Sequence, residues 1–265
     1  MPPILLVGGG RMGGAMLAGW REHGLTTAIV VDPAPEAAAL AGPEVRVVAG
    51  PENLPPDFAP AAIVLAVKPQ FATSVVPAYA ALAPGAVTLS IMAGRTIAGL
   101  RRLLGDEAAI VRAMPNTPAA IRRGISVVCP GPGVTAMQLA LCDTLLVAVG
   151  SVAWVEDEAL LDAVTAVSGS GPAYVFLLAE LLEAAARAEG LPPDLARLLA
   201  RSTVAGSGAL LDASDEDAET LRRAVTSPNG TTEAALAVLM ASAAWPALLR
   251  QAVAAATARS RELAS

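Results

Sequence analysis

The stretch "ILLVGGGRMGGAML", residues 4–17, sets a glycine-rich turn between an apolar run and a helical pattern. The apolar run is continuous, as a strand buried on both faces requires. Gly8, Gly10 and Gly13 follow in Gly-x-Gly-x-x-Gly spacing at the opening of a helix. Each plays a different part in a dinucleotide cradle. Gly8 permits the tight turn, Gly10 lets a pyrophosphate approach the backbone, and Gly13 lets helix and sheet pack closely. A glycine-rich turn without a ligand is the other reading, but strand, helix and position all agree with the cradle.

Working outward, short β-rich runs recur at 4–8, 28–32, 45–49, 62–67, 86–91, 109–114, 125–129 and 151–155. Helical stretches at 12–23, 71–82, 96–104 and 134–147 lie between several of them. That alternation predicts βαβ units and a mostly parallel, doubly wound sheet. After Trp154 only helix signals remain, at 158–168, 173–189, 193–212, 215–224 and 231–259. The chain is therefore expected to divide into an α/β domain, 1–157, and an all-helical domain, 158–265.

Asp32 ends the second run, 19 residues after Gly13. An acidic residue there hydrogen-bonds a ribose 2′-hydroxyl and repels a 2′-phosphate. Arg11, inside the glycine loop, offers a guanidinium that offsets the repulsion; Asp32 as a plain turn residue before Pro33 stays open. Lys68 is the only lysine among 18 basic residues and closes the fourth run, where ligands of open α/β sheets lie. A surface lysine is the alternative. "TAVSGSGPAYVF", 165–176, puts two glycines and a proline within helical surroundings, which means a kink or a close backbone approach. "AVTSPNGTTEAAL", 224–236, reads as a Pro-Asn-Gly turn running into a helix start, either a capped helix alone or an anion site.

Composition excludes several chemistries. His23 is the only histidine and reads as a surface residue, so a His-based relay or a His-ligated metal has nothing to use. No Cys/His cluster has metal-ligand spacing, and no metal is expected. A net charge of −6 with scattered basic residues argues against nucleic acid. Apolar runs are broken by charges, Gly or Pro, so no membrane span is expected, and the first residues have no signal-peptide pattern. Two cysteines suit a reducing cytoplasm.

Taken together, "VGGGRMGGAM", "AVKPQ", "RAMPNTPAAIRRG", "DAVTAVSGSGPAY" and "VTSPNGTTEAAL" resemble the pyrroline-5-carboxylate reductases, in order and along the whole chain. The resemblance implies reduction of the cyclic imine 1-pyrroline-5-carboxylate to L-proline with NADH or NADPH. It implies a Rossmann-type domain followed by a helical dimerisation domain, hence a homodimer or an assembly of dimers. Carried over by position, Gly8, Gly10, Arg11, Met12, Gly13, Asn53, Ala66, Val67, Lys68 and Pro69 meet the cofactor. Met92, Ala93, Gly94 and Asn116 line its nicotinamide side. Glu158, Ser227, Gly230, Thr231 and Thr232 meet the substrate, and Thr165 is the catalytic hydroxyl. Many relatives carry Asn at position 11 and Gly at 229, where this chain has Arg11 and Asn229. The chemistry suits the inventory: residues 158–265 have no His, no Lys and one tyrosine, Tyr174. A carbonyl reductase needs a general acid, whereas hydride delivery to a protonated imine leaves a neutral amine. Another imine or keto-acid reductase on the same scaffold, and a non-catalytic nucleotide-binding protein, are the alternative readings.

Overall fold

A computed structural model of the chain describes residues 1–263. All eight expected strands form, in one sheet: β1 (Ile4–Val7), β2 (Ala28–Val31), β3 (Val45–Val48), β4 (Ala62–Leu65), β5 (Val87–Ser90), β6 (Ala109–Met114), β7 (Gly124–Pro130) and β8 (Gly150–Trp154). Their order is β3-β2-β1-β4-β5-β6-β7-β8. Pairing is parallel except between β6 and β7. The chain moves outward from β1 to β3, then returns to place β4 on the other side of β1. The strand order therefore reverses between β1 and β4, where a doubly wound sheet opens a crevice at its carboxyl edge.

Alternate residues of each strand feed opposite layers. Ile4 and Leu6 pack with Met16, Leu17 and Trp20 of α1 (Arg11–Glu22), while Leu5 and Val7 join the other layer. α2 (Ala72–Val75) is short, because Pro77 cannot continue an α-helix, and a 3₁₀ turn, Val76–Tyr79, follows it within the helix expected at 71–82. α3 (Ile97–Leu104) starts at a Thr96 side-chain cap, and α4 (Ala136–Val147) at a Thr135/Gln138 capping box. Trp20, wholly buried, donates from Nε1 to the Leu145 carbonyl of α4 at 2.8 Å.

After β8 come α5 (Leu160–Val164), a π-helical turn at Thr165–Gly169, then α6 (Gly171–Ala188), α7 (Pro193–Ala213), α8 (Ala218–Ala224), α9 (Thr231–Leu239) and α10 (Trp245–Leu263). The single helix expected at 231–259 is two. Pro246 lacks the N–H for a bond four residues back, and its ring clashes with the preceding turn, so α9 ends and α10 restarts with the proline in its first turn.

By compactness the chain forms two units. The first runs from Met1 to Gly169 and includes the chain from Ala256 onward; the second is Ser170–Ala255. This division falls later than residue 158 because Leu161 and Val164 of α5 pack in the layer beneath the sheet. The first unit holds both core layers. In the second, only Ala196 and Ala200 are buried. Among the described residues one helical segment, Leu160–Ala188, is long and apolar enough to cross a membrane by length and composition.

Candidate active site

The parallel strands determine where the expected cofactor residues fall. Gly8–Gly13 follow β1, Asp32 follows β2, Asn53 lies beyond β3, Ala66–Pro69 follow β4, Met92–Gly94 follow β5 and Asn116 follows β6. These strands run the same way, so all these residues lie beyond the carboxyl edge of the sheet, on both sides of the β1/β4 reversal.

The glycine loop has the local geometry of a cradle. Gly8 has φ +100, and a Cβ on it would lie 2.8 Å from the Ala66 carbonyl carbon and oxygen. A Cβ on Gly13 would lie 2.1 Å from the Gly8 carbonyl oxygen, so the first turn of α1 sits against the loop itself. Gly10 differs: a Cβ there would meet none of the described residues within 4 Å. It precedes α1, and no side chain caps that helix. Open space at Gly10, with the first-turn N–H groups of α1 beside it, is what a pyrophosphate needs. Arg11 is exposed and Met12 half-buried at the start of α1.

Asp32 holds this loop. Its Oδ2 accepts from the Gly9 N–H at 2.7 Å and its Oδ1 from the Ala34 N–H at 2.9 Å. Lys68 is exposed and precedes the 3₁₀ turn Pro69–Phe71. Asn53 is exposed. Met92 is buried, and Gly94 is buried with φ +69. Asn116 serves the local backbone, since its Oδ1 accepts from the Ile125 N–H at 2.9 Å and ties the connection between the antiparallel strands β6 and β7.

Glu158 is bound on both sides. Its Oε1 accepts from the Ile97 N–H at the start of α3, at 2.8 Å, and from Nη1 of Arg112 at 3.0 Å. Arg112 is 4 % exposed on β6, and its pairing with Glu158 was not legible in the sequence. The one available signal was an arginine inside an otherwise apolar strand, since a buried guanidinium requires a partner. Oε2 makes neither of these bonds. Cys129 lies beside Arg112 in the register, and burial, helped by the Glu158 charge, pushes its thiol up.

Thr165 opens the π turn. Its hydroxyl donates to the Leu161 carbonyl at 2.7 Å, and Ser168 donates in the same way to Val164 at 3.0 Å. A wide turn of this kind inside a helix is frequent at functional sites. With its proton given to Leu161, the Thr165 oxygen is left as an acceptor.

The loop at 227–230 lies within the second unit. The Gly230 N–H donates to the Ser227 carbonyl at 3.0 Å, closing the turn. Asn229 takes φ 58, the left-handed region it tolerates better than most non-glycine residues. Its N–H donates to Glu233 Oε2 at 2.7 Å. A Cβ on Gly230 would lie 2.5 Å from Ser227 Oγ, so the turn is closed tightly. Thr231 and Thr232 then begin α9, and no side chain caps it.

Known proteins share this architecture. Residues 158–263 match the family model for pyrroline-5-carboxylate reductase dimerisation, and residues 3–94 that for NADP oxidoreductase, coenzyme F420-dependent. A pyrroline-5-carboxylate reductase of Pseudomonas aeruginosa is 41% identical over 99% of this chain and 97% of its own length. A pyrroline-5-carboxylate reductase structure from Coxiella burnetii superposes with TM-score 0.91 at 31% identity, over 100% of this chain and 99% of that one. The Plasmodium falciparum pyrroline carboxylate reductase with NADP bound has TM-score 0.85 at 27% identity, over 100% of this chain and 98% of that one.

Proposed function

The chain belongs to the pyrroline-5-carboxylate reductase family, and we propose that it reduces 1-pyrroline-5-carboxylate to L-proline with the residues described above. The observation that carries the assignment of roles is the glycine cradle, open only at Gly10, on a chain whose helical part has neither His nor Lys. The bound nicotinamide supplies the hydride. Gly10, Met12 and Gly13 would hold the pyrophosphate through backbone N–H groups, Gly8 would make the turn with its own N–H given to the Val31 carbonyl at 2.9 Å, and Ala66–Pro69 and Met92–Gly94 would line the crevice beside it.

A protonated imine presents an N–H donor, and the Thr165 oxygen, its own proton given to Leu161, presents an acceptor. That polarity favours the electrophilic form of the substrate. The Glu158 charge works in the same direction while Arg112 holds its carboxylate in place. The substrate carboxylate is assigned to the first-turn N–H groups and hydroxyls of Thr231 and Thr232, with Ser227 and Gly230 shaping the turn. Charge-assisted hydrogen bonds of this kind are worth about 1.5–3 kcal/mol each. A reducing cytoplasm suits Cys129 and Cys142, which are free and buried, and a homodimer suits the uncovered helical faces.

The assay is the fall in NADH or NADPH absorbance with authentic pyrroline-5-carboxylate; a protein that binds cofactor but turns over no imine overturns the assignment. Thr232→Val keeps volume and removes one hydroxyl. It raises KM for the imine about tenfold and leaves cofactor Kd unchanged; an equal loss of cofactor affinity would move the loop to the nicotinamide.

Both cofactors are expected to work. Asp32 disfavours a 2′-phosphate, and Arg11 at the start of α1 offsets part of that. Asp32→Ser therefore raises the NADPH/NADH ratio of kcat/KM. Because Asp32 also holds the Gly9 N–H, absolute affinity for both cofactors falls, so only the ratio isolates the ribose contact. An unmoved ratio places the 2′-hydroxyl elsewhere.

A further inference from the structure

We propose that the last turns of α10 are a positioning element for hydride transfer, acting through Ser260 and Leu263. The inference rests on the reading of Met92–Gly94 as the nicotinamide wall and of Thr165 as the substrate hydroxyl. α10 begins in the second unit, but from Ala256 onward it belongs to the first. There its end meets two segments of the site.

One contact is with Gly94. A Cβ at Gly94 would lie 3.1 Å from both the Cβ and the carbonyl oxygen of Leu263. Half of that contact is with Leu263 backbone, so it does not relax by a side-chain rotation. It fixes where the loop after β5 can lie. The other contact is a hydroxyl–carboxylate pair. Ser260 is 5 % exposed and its Oγ donates to Asp162 Oδ1 at 2.7 Å. Asp162 is on α5, and the neighbouring Leu161 carbonyl accepts the Thr165 hydroxyl. One helix end thus touches the loop proposed to flank the hydride donor and the helix that carries the substrate hydroxyl. The separation of those segments sets the distance over which the hydride moves, and a misplacement of about 1 Å can cost about a hundredfold in rate. A half-buried hydroxyl–carboxylate bond fixes register in a way that apolar packing does not.

The test uses full-length variants. Ser260→Ala and Asp162→Ala remove the bond, whereas Asp162→Asn keeps an acceptor oxygen. The first two are expected to lower kcat about tenfold, with KM for the imine, thermal midpoint and subunit mass nearly unchanged, and Asp162→Asn to recover most of the rate. Affinity for ADP-ribose, which lacks the nicotinamide, stays at the wild-type value, while the fluorescence of bound NADH shifts. Unchanged kcat in Ser260→Ala overturns the proposal. So does a loss that Asp162→Asn fails to rescue, or one that follows a fall in thermal midpoint and in ADP-ribose affinity alike, since that is the mark of a plain structural anchor. A wild type that binds NADH without turning over the imine defeats the underlying reading; a wild type that turns over beside variants that match it defeats this inference alone.

Discussion

Gly10→Ala and Gly13→Ala are both expected to lower NAD(P)H affinity at least a hundredfold, about 2.7 kcal/mol, yet only one of them should disturb the fold. At Gly13 the new Cβ would lie 2.1 Å from the Gly8 carbonyl oxygen and 3.4 Å from the Ala66 Cβ. Carbon–oxygen contact at 2.1 Å lies deep inside the repulsive wall. Gly8 cannot retreat, because it already runs against the Ala66 backbone in a left-handed conformation. The first turn of α1 must therefore lift from β1, and over-packing of this kind costs about 1–3 kcal/mol. At Gly10 the backbone has φ −65, which alanine adopts freely, and the Cβ meets open space. That variant keeps the wild-type thermal midpoint and loses only the cofactor, because its methyl occupies the room proposed for the pyrophosphate. Fluorescence titration with NADPH beside a thermal melt reads both. A Gly10→Ala protein that binds NADPH like wild type removes the cradle from this loop.

Strand periodicity and the glycine motif made the sheet legible from the residues alone. Apolar runs bounded by turns have one reading when they alternate with helical stretches, and the carboxyl ends of those runs are where the residues proposed for the cofactor lie. Three features escaped for physical reasons. Pro246 splits the helix expected at 231–259, and an Ala/Leu-rich pattern continues across the break and hides it. The π form of the kink expected at 165–176 carries hydroxyl-to-carbonyl bonds from Thr165 and Ser168, which leave no periodic trace. The bonds from Ile97 and Arg112 to Glu158 join residues 61 and 46 positions apart, a separation no local pattern encodes. The Pro-Asn-Gly turn was legible, by contrast, because a turn is a property of those residue types, and Asn229 takes the left-handed φ it tolerates.

A loss of at least the same size is expected from the second unit. A charge placed at Phe176 or Leu198, as Phe176→Asp or Leu198→Asp, is expected to break the assembly and lower activity at least about a hundredfold, roughly 2.7 kcal/mol or more. In a single chain these side chains are 66% and 61% exposed. A substitution at such a surface position ordinarily changes stability by no more than about 0.5 kcal/mol. The reason to expect otherwise is the balance within the unit. Ordering each backbone residue costs about 1–2 kcal/mol, while fully burying an aliphatic or Phe side chain returns about 1.5–3 kcal/mol. With only Ala196 and Ala200 buried, the helices of this unit do not offset their own ordering. Phe176, Leu177, Leu181, Leu198, Leu210 and Leu249 are each more than half exposed, and an apolar surface that extensive marks an interface. A two-fold partner presenting the same faces is the commonest way to cover it, and the matched family model over 158–263 is one of dimerisation. The wild type is therefore expected to have a mass of at least twice the 26.6 kDa chain, in even multiples, and a thermal midpoint that rises with protein concentration. Light scattering and melts at several concentrations read both. An Asp inside the covered face would bury an unpaired carboxylate, which costs several kcal/mol, so the variants dissociate or unfold. Variants that keep the wild-type mass, midpoint and turnover would place the interface on another face of this unit.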